Sequence, residues 1–325
     1  MKLTRSASNP ILLPSSNTWE NRAVFNPGVF FYQNDIHLLY RAQGQDGISR
    51  LGLARLDQSG KVIERKPDPV FSPDPDSEYE TKGVEDPRIS SLDGHYYLVY
   101  VAASPYPGIL PQPVHQKEYQ WRVRVSLAKT SDFESWNRFG VIIGHIDSKD
   151  AALFPQKIDG NFLLIHRVIP HLRLAVAPDG RNFKERGPLF GPRAGMWDSW
   201  RVGTGAPPLL SPYGWLMFYH GVDEKSVYRL GLALLDVHDP SVVLARTPEP
   251  ILEPSTSWET AGQVPNVVFS CGAIETESEY QVYYGGADTV IGLATIPKAQ
   301  VWNWAKQESE KVHSAFEVVG QITAD

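Results

Sequence analysis

The sequence predicts an all-β protein: a five-bladed β-propeller with a short C-terminal helix, forming one domain over residues 1–325. Three observations predict it. A strand–turn–strand–loop–strand unit recurs five times, at intervals of roughly 50 to 70 residues, near the range of blade-type repeats. The 26 Gly and 26 Pro are spread along the chain, so that short apolar runs alternate with turn residues. Repeated small sheets also need protected edges. Radial repetition leaves only short ones, whereas a two-sheet sandwich does not account for five copies.

The first unit, residues 24–57, opens on NPGVFFY from Asn26. It turns at QND, continues in HLLYRA (37–42) and closes with SRLGLARLD (49–57). The second, 84–136, has DPRISSL from Asp86, the turn LDGH, YYLVYVA (96–102) and RVSLAKTSD (124–132). The third, 151–190, has LFPQKI from Leu153, IDGN, FLLIHR (162–167) and RLAVAPDG from Arg173. The fourth, 203–247, has APPLLSP from Ala206, SPYG, WLMFYHG (215–221) and RLGLALLD from Arg229. The fifth, 264–297, has PNVVFS from Pro265, ETESE, QVYYGG (281–286) and VIGLATI from Val290. The closing runs alternate apolar and small residues with the period of a strand. GKVIER, FGVII and SVVLAR supply fourth strands, and KAQVWNWAKQESEKVH reads as an amphipathic helix outside the repeat. The termini pack on the propeller or close it.

Composition narrows the function classes. A chain 42% hydrophobic and 21% charged can bury a large core. A net charge of −6 gives no footprint for nucleic acid. No run approaches the roughly 20 apolar residues of a membrane span, and the N-terminal stretch lacks a signal-peptide core, so no membrane partner is expected. The lone Cys271 cannot form an internal disulfide and fits the cytoplasm. The 9 Trp, 14 Tyr and 13 Phe serve either core packing or sugar stacking. Trp302, Trp304 and Phe316 fit either a homo-oligomer interface or a tail packed on its own propeller.

The first strand of each blade is expected to line the central channel. In GVEDPRIS (83–90) two acids, a proline and an arginine then stand at its mouth, with Asp86 in the place that Asn26 and Ala206 hold in their units. Three second strands end in polar pairs: Tyr40-Arg41, His166-Arg167 and Tyr219-His220. Arg41, Arg167 and His220 then converge on Asp86 and Arg88, and Arg124 is within reach. Taken singly, each arginine could pair with an acid between blades, His220 could be a core histidine and Glu85 could brace the turn. Recurrence at one strand end is what points to a site: forked guanidinium donors for an anion, beside a carboxyl acid. No metal motif, GxSxG, Walker A or dinucleotide fingerprint is present, so no metal or organic cofactor is expected.

The stretches WENRAVFNPGVFF, HLLYRAQGQDGISRLGLA, GVEDPRIS, KDAALFPQKIDGNFLLIHR, GTGAPPLLSPYGWLMFYHGVD, YRLGLALLD, VPNVVFSCGAI and YYGGADTVIGLA span nearly the whole chain. They resemble glycoside hydrolase family 130, the inverting β-mannoside phosphorylases and their hydrolytic relatives. The resemblance implies a five-bladed propeller. It also implies cleavage of a β-mannoside by inorganic phosphate, the co-substrate, to give α-mannose 1-phosphate. Asp86 becomes the general acid, working through the mannosyl 3-hydroxyl. Arg124, Arg167, His220 and Lys149 become phosphate ligands, with Arg201 in reserve. Asn26, Arg41, Glu85, Arg88, Asp150, Tyr219 and Asp288 become substrate-binding residues, and Tyr284 either flanks the sugar or packs.

Two alternatives stand beside this. A β-mannoside hydrolase needs a carboxylate base, for which Glu85, Asp150 and Asp198 are candidates. A non-catalytic sugar-binding propeller has no use for Asp86 beside a basic cluster. Linkage (β-1,2 or β-1,4) and acceptor depend on loops at the channel mouth, among them 104–119 and 169–172.

Overall fold

The computed structural model describes residues 1–106 and 121–322, with side chains through Val312. A short strand, β1 (Thr4–Arg5), precedes five antiparallel meanders. The first comprises β2 (Ala23–Tyr32), β3 (Asp35–Gln43), β4 (Ser49–Leu56) and β5 (Val62–Arg65). The second comprises β6 (Gly83–Leu92), β7 (His95–Ser104), β8 (Arg122–Thr130) and β9 (Asn137–Ile143). The third runs β10 (Lys149–Leu153), β11 (Phe162–Val168), β12 (His171–Ala177) and β13 (Lys184–Phe190). In the fourth, β14 (Arg201–Thr204) and β15 (Leu209–Ser211) both pair with β16 (Gly214–Val222), followed by β17 (Tyr228–Leu235) and β18 (Val243–Arg246). After the one-turn helix α1 (Ser257–Thr260), the fifth runs β19 (Val268–Glu275), β20 (Glu279–Gly286) and β21 (Val290–Pro297). Its outer strand is β1, in register Thr4↔Thr295. The chain ends in α2 (Lys298–Ile322).

The protein is thus mostly β-strand with two helices. The first two meanders join into one eight-stranded sheet through a single parallel pair, Ser49↔Gly83; the other three meanders are separate sheets. Neighbouring meanders share hydrophobic clusters in chain order. Leu39 and Leu53 meet Leu98, Val125 meets Leu164, Leu174 meets Trp215, and Leu232 meets Val282. A further cluster joins the fifth meander to the first, through Ile291, Leu293 and Tyr40.

Several expected boundaries move. The inner strand of the third unit is KDAAL, four residues before LFPQKI begins. In the fourth unit β14 lies ahead of the expected APPLLSP, of which only Leu209–Ser211 forms a strand, β15; Pro207 and Pro208, without backbone donors, separate the two. The C-terminal helix is 25 residues long rather than short. Its Val301 and Ala305 bury into the molecule's own core, which favours the packed-tail reading of Trp302 and Trp304; the Phe316 side chain lies outside the described residues.

A second repeat holds four of the five meanders together. Tyr40, Tyr100, Tyr219 and Tyr284 occupy one position on their second strands, and each is buried. Each hydroxyl donates to a buried acid: Glu20 at 2.9 Å, Glu80 at 2.8 Å, Asp198 at 3.0 Å and Glu259 at 2.9 Å. An outer-strand arginine completes each clasp: Arg65, Arg138, Arg246 and Arg5. The third meander departs from the pattern, with His166 in the tyrosine's place, 2.7 Å from Glu185.

Candidate active site

The inner strands β2, β6 and β10 each carry a bulge at the same level. The first residue in each is Asn26, Asp86 or Asp150, with φ of +49°, +52° and +49°. An extra residue on one side of a ladder kinks the strand, and Asn and Asp tolerate the left-handed conformation better than most side chains. The three side chains are thereby turned out of the ladder toward the middle of the molecule. In the fourth unit the residue paired with the clasp tyrosine Tyr219 is Thr204. Thr204 rather than Ala206 therefore stands at the level of Asp86, a two-residue correction to the expected register.

A cavity of about 90 Å³ opens at this level. Asn26, Arg41, Asp86, Lys149 and Asp288 form its polar side; Tyr228, Val264, Val267 and Phe269 form the other. A larger cleft, about 710 Å³, lies between His37, Arg55, Pro69 and Phe133 and contains none of these polar groups. Within the site, Asn26 Nδ2 donates to Asp86 Oδ1 at 2.9 Å and Arg41 Nη1 donates to the same oxygen at 3.1 Å. Arg41 Nη2 reaches Glu85 Oε1 at 2.5 Å, so Glu85 braces the arginine.

Burial pushes the Asp86 carboxyl up, but Arg41, Lys149, the Asn26 amide and Arg88 outweigh it and hold it below the ordinary range. Glu85 goes the other way: burial raises it, against Arg41 and with the Asp86 charge beside it. Asp288 is pushed up to about 6, first by burial and then, against Arg41, by the neighbouring acids. The cluster therefore sheds its first proton from Asp86.

Beneath the cavity lies an ionic plug. Asp150 Oδ2 is 2.5 Å from Arg167 and 3.3 Å from His220 Nε2, and Arg88 stands 3.8 Å from Oδ1. All four side chains are buried. Burial raises the Asp150 carboxyl, yet Arg167 and His220 hold it well below its ordinary range. Burial lowers His220 to about 4, against the pull of Asp150, so the imidazole is neutral at pH 7. Its ring lies 4.4 Å from that of Phe269. Gly203 makes room for the plug, because a Cβ there would stand 2.2 Å from His220 Nε2 and 2.5 Å from Asp150 Oδ2.

The sequence-predicted residues therefore divide. Asn26, Arg41, Asp86, Lys149 and Asp288 meet at the cavity, with Glu85 behind them. Asp150, Arg167 and His220 meet in the plug. Arg88 does not face the cavity: it donates to the Gly205 and Thr204 carbonyls, each at 2.6 Å, and ties the second meander to the fourth. Arg124 stands apart, because its guanidinium closes on Asp147 and on the Gly144 and Val123 carbonyls. Tyr219 is not at the cavity, since its ring is buried in a clasp; the same holds for Tyr284 and Asp198. Arg201 is held by the Tyr228 hydroxyl and stacks on Trp200 at 4.1 Å.

Sequence reasoning missed Tyr228 and Phe269, whose positions in the repeats carry no polar signal. It also missed the clasps, singling out Asp198 only as a candidate base and Glu20, Glu80 and Glu259 not at all, although Trp19-Glu20, Tyr79-Glu80, Trp197-Asp198 and Trp258-Glu259 form a readable aromatic–acid pair before four inner strands. Most of the 104–119 loop lies outside the described residues.

A family model described as β-1,4-mannooligosaccharide phosphorylase matches residues 7–307. A 1,2-β-oligomannan phosphorylase of Thermoanaerobacter sp. is 41% identical over 91% of this chain and 97% of its own. A β-1,2-mannobiose phosphorylase of the same organism is 38% identical over 92% of this chain and 99% of its own. Among solved structures, the β-1,2-mannobiose phosphorylase of Listeria innocua in complex with β-1,2-mannobiose superposes with a TM-score of 0.82 at 28% identity, covering 94% of this chain and 99% of its own.

Proposed function

The chain belongs to glycoside hydrolase family 130, and from that premise we propose that it is an inverting β-mannoside phosphorylase with Asp86 as its general acid. Phosphate oxygen attacks the anomeric carbon of the terminal mannosyl unit. The bond to the glycosidic oxygen breaks, and a proton from Asp86 reaches that oxygen through the 3-hydroxyl. The products are α-mannose 1-phosphate and the shortened saccharide. The β-1,2 linkage is the preferred one, as in the names of the two bacterial relatives at 41% and 38% identity.

The carrying observation is the placement of the Asp86 carboxyl in a small cavity beside Lys149, with Arg167 and His220 below. Lys149 is one of the charges that hold Asp86 low. A phosphate seated on Lys149 cancels that pull and adds negative charge, so its arrival drives Asp86 toward the protonated state that a general acid needs. This resolves the conflict between an acid and its cationic neighbours. In this reading Arg41 and Asp288 hold the mannosyl hydroxyls, and Lys149 binds phosphate with help from Arg167 and a neutral, donating His220. Two candidate hydrolytic bases are already committed, Asp150 to the plug and Asp198 to a clasp. That argues for phosphate over water as the nucleophile.

The same reading takes the five meanders as blades of one propeller domain, supported by the clusters that join neighbours and return from the fifth to the first. It takes the cytoplasm as the site of action, supported by the lone buried Cys271.

The test is to incubate the protein with β-1,2- and β-1,4-mannobiose, with and without inorganic phosphate, and assay α-mannose 1-phosphate. The ester should form only with phosphate and faster from the β-1,2 disaccharide. Asp86→Asn should lower the rate by about 10²- to 10⁴-fold. Free mannose formed equally without phosphate would make the protein a hydrolase.

A further inference from the structure

Asn26 and Asp86 hold the same bulge position in adjacent meanders, and their side chains meet. Asp86 Oδ1 receives two donors, the Asn26 amide and Arg41 Nη1. An oxygen that already accepts two N–H groups is a poor place for a proton. The Asn26 carbonyl oxygen, by contrast, is buried and has no hydrogen-bond partner. The amide is turned so that its NH2 serves Asp86 while its own acceptor goes unserved. Gly285 leaves room for that pose, because a Cβ there would stand 2.4 Å from Asn26 Oδ1.

We propose that Asn26 is a positioning residue for Asp86: together with Arg41 it occupies Oδ1, leaving Oδ2 as the oxygen that carries and delivers the proton. The assignment rests on the phosphorylase reading for the proton's destination, but the pairing itself stands on geometry. It changes the role of Asn26 from sugar ligand to aligner of the acid. The other groups facing Asp86 are Arg41, Lys149, Arg88, Glu85, Asp288 and the neutral Cys271 thiol. None of these changes when Asn26 becomes Gly.

The clean variant is Asn26→Gly, since glycine accepts the positive φ without strain and brings no amide. Asn26→Asp keeps the shape and covers the case in which Asn26→Gly does not fold; its added carboxylate beside Oδ1 should raise Asp86 further than loss of the amide alone. In phosphorolysis the acid must be protonated, so loss of a donor to its carboxylate moves the alkaline limb of the kcat profile to higher pH, by about one unit. In synthesis from α-mannose 1-phosphate the same group is the base, and the acid limb moves up likewise. Loss of alignment should lower the pH-independent plateau of kcat by about tenfold, with KM for mannobiose within about twofold of wild type. A raised KM with unmoved limbs would make Asn26 a sugar ligand and overturn the proposal.

A second readout needs no turnover. Carboxyl ¹³C titration, with the Asp86 signal assigned by its loss in Asp86→Asn, should show Asp86 titrating at higher pH in both Asn26 variants. An unmoved titration overturns the pairing even if the protein proves inactive on mannosides. Absence of phosphorolysis by the wild-type protein would fail the phosphorylase reading alone.

Discussion

Asp150 shows what a single residue does when it faces cations in a dry interior. It sits between Arg167, His220 and Arg88, all buried, with its Oδ2 2.5 Å from Arg167. Asp150→Asn removes the charge but not the volume, and leaves Arg167 and Arg88 without their carboxylate. Breaking one partner of a buried pair costs about 3–5 kcal/mol. Urea unfolding at pH 7 should show a loss of that size, and a loss below about 1 kcal/mol would mean that the plug contributes little to stability. The folded Asp150 carboxyl lies far below its ordinary value. Its contribution is therefore complete above the unfolded value of 3.8 and is lost as pH falls toward the folded one. The gap between wild type and Asp150→Asn should accordingly close in acid. At this scale the sequence was legible where a residue broke its context: an acid before proline at Asp86, a basic end on an apolar strand at Arg41. It was not legible where partners come from other meanders. Nothing local distinguishes Arg88, which seeks carbonyls of Thr204 and Gly205, from Arg41, which faces the cavity.

Among the elements, the inner strands position the chemistry and the clasps hold them there. Each clasp joins the segment before an inner strand to the second strand and the outer strand of its meander. Tyr100 donates to Glu80, which is also held by Arg138 at 2.9 Å. Tyr100→Phe deletes one hydroxyl and leaves Glu80 buried with one donor fewer. The expected loss is about 1–3 kcal/mol in thermal or urea unfolding, with kcat at 25 °C unchanged because no cavity group is touched. A fall in kcat without loss of stability would show that clasps tune the site rather than brace it. The strand–turn–strand pattern was readable because apolar alternation and Asp-Gly or Asn turns are local signals. Strand starts were not. A bulge breaks the alternation that marks a strand, so KDAAL was passed over in favour of the more regular LFPQKI. Tyr219 and Tyr284 read as possible sugar-flanking groups because a tyrosine on a strand has the same signature whether its hydroxyl meets a ligand or a buried acid.

Over the whole molecule, the fifth meander lacks an outer strand of its own, and β1 from the other end of the chain supplies it. Arg5 then completes the last clasp, with Nε and Nη2 each 2.8 Å from an oxygen of the buried Glu259. Leu3 enters the same core as Leu230 and Val282, and its amide donates to the Ile251 carbonyl. One arginine thus ties residue 5 to residue 259. Arg5→Ala leaves Glu259 buried with the Tyr284 hydroxyl and two backbone amides, and no cation. The expected loss at pH 7 is about 3 kcal/mol by urea unfolding. The pH dependence identifies the cause. Burial raises Glu259, but Arg5 and the amide donors outweigh it, so its folded value lies below the unfolded 4.5. That contribution is present above pH 4.5 and fades as pH falls through the folded value. Without Arg5 the same buried carboxyl titrates at higher pH than in wild type. The difference between wild type and Arg5→Ala should then be largest near neutrality and shrink below pH 4.5. A difference that stays constant from pH 7 to pH 4 would assign the loss to packing of the N-terminal strand, and the charge would not be what holds β1 to the fifth meander.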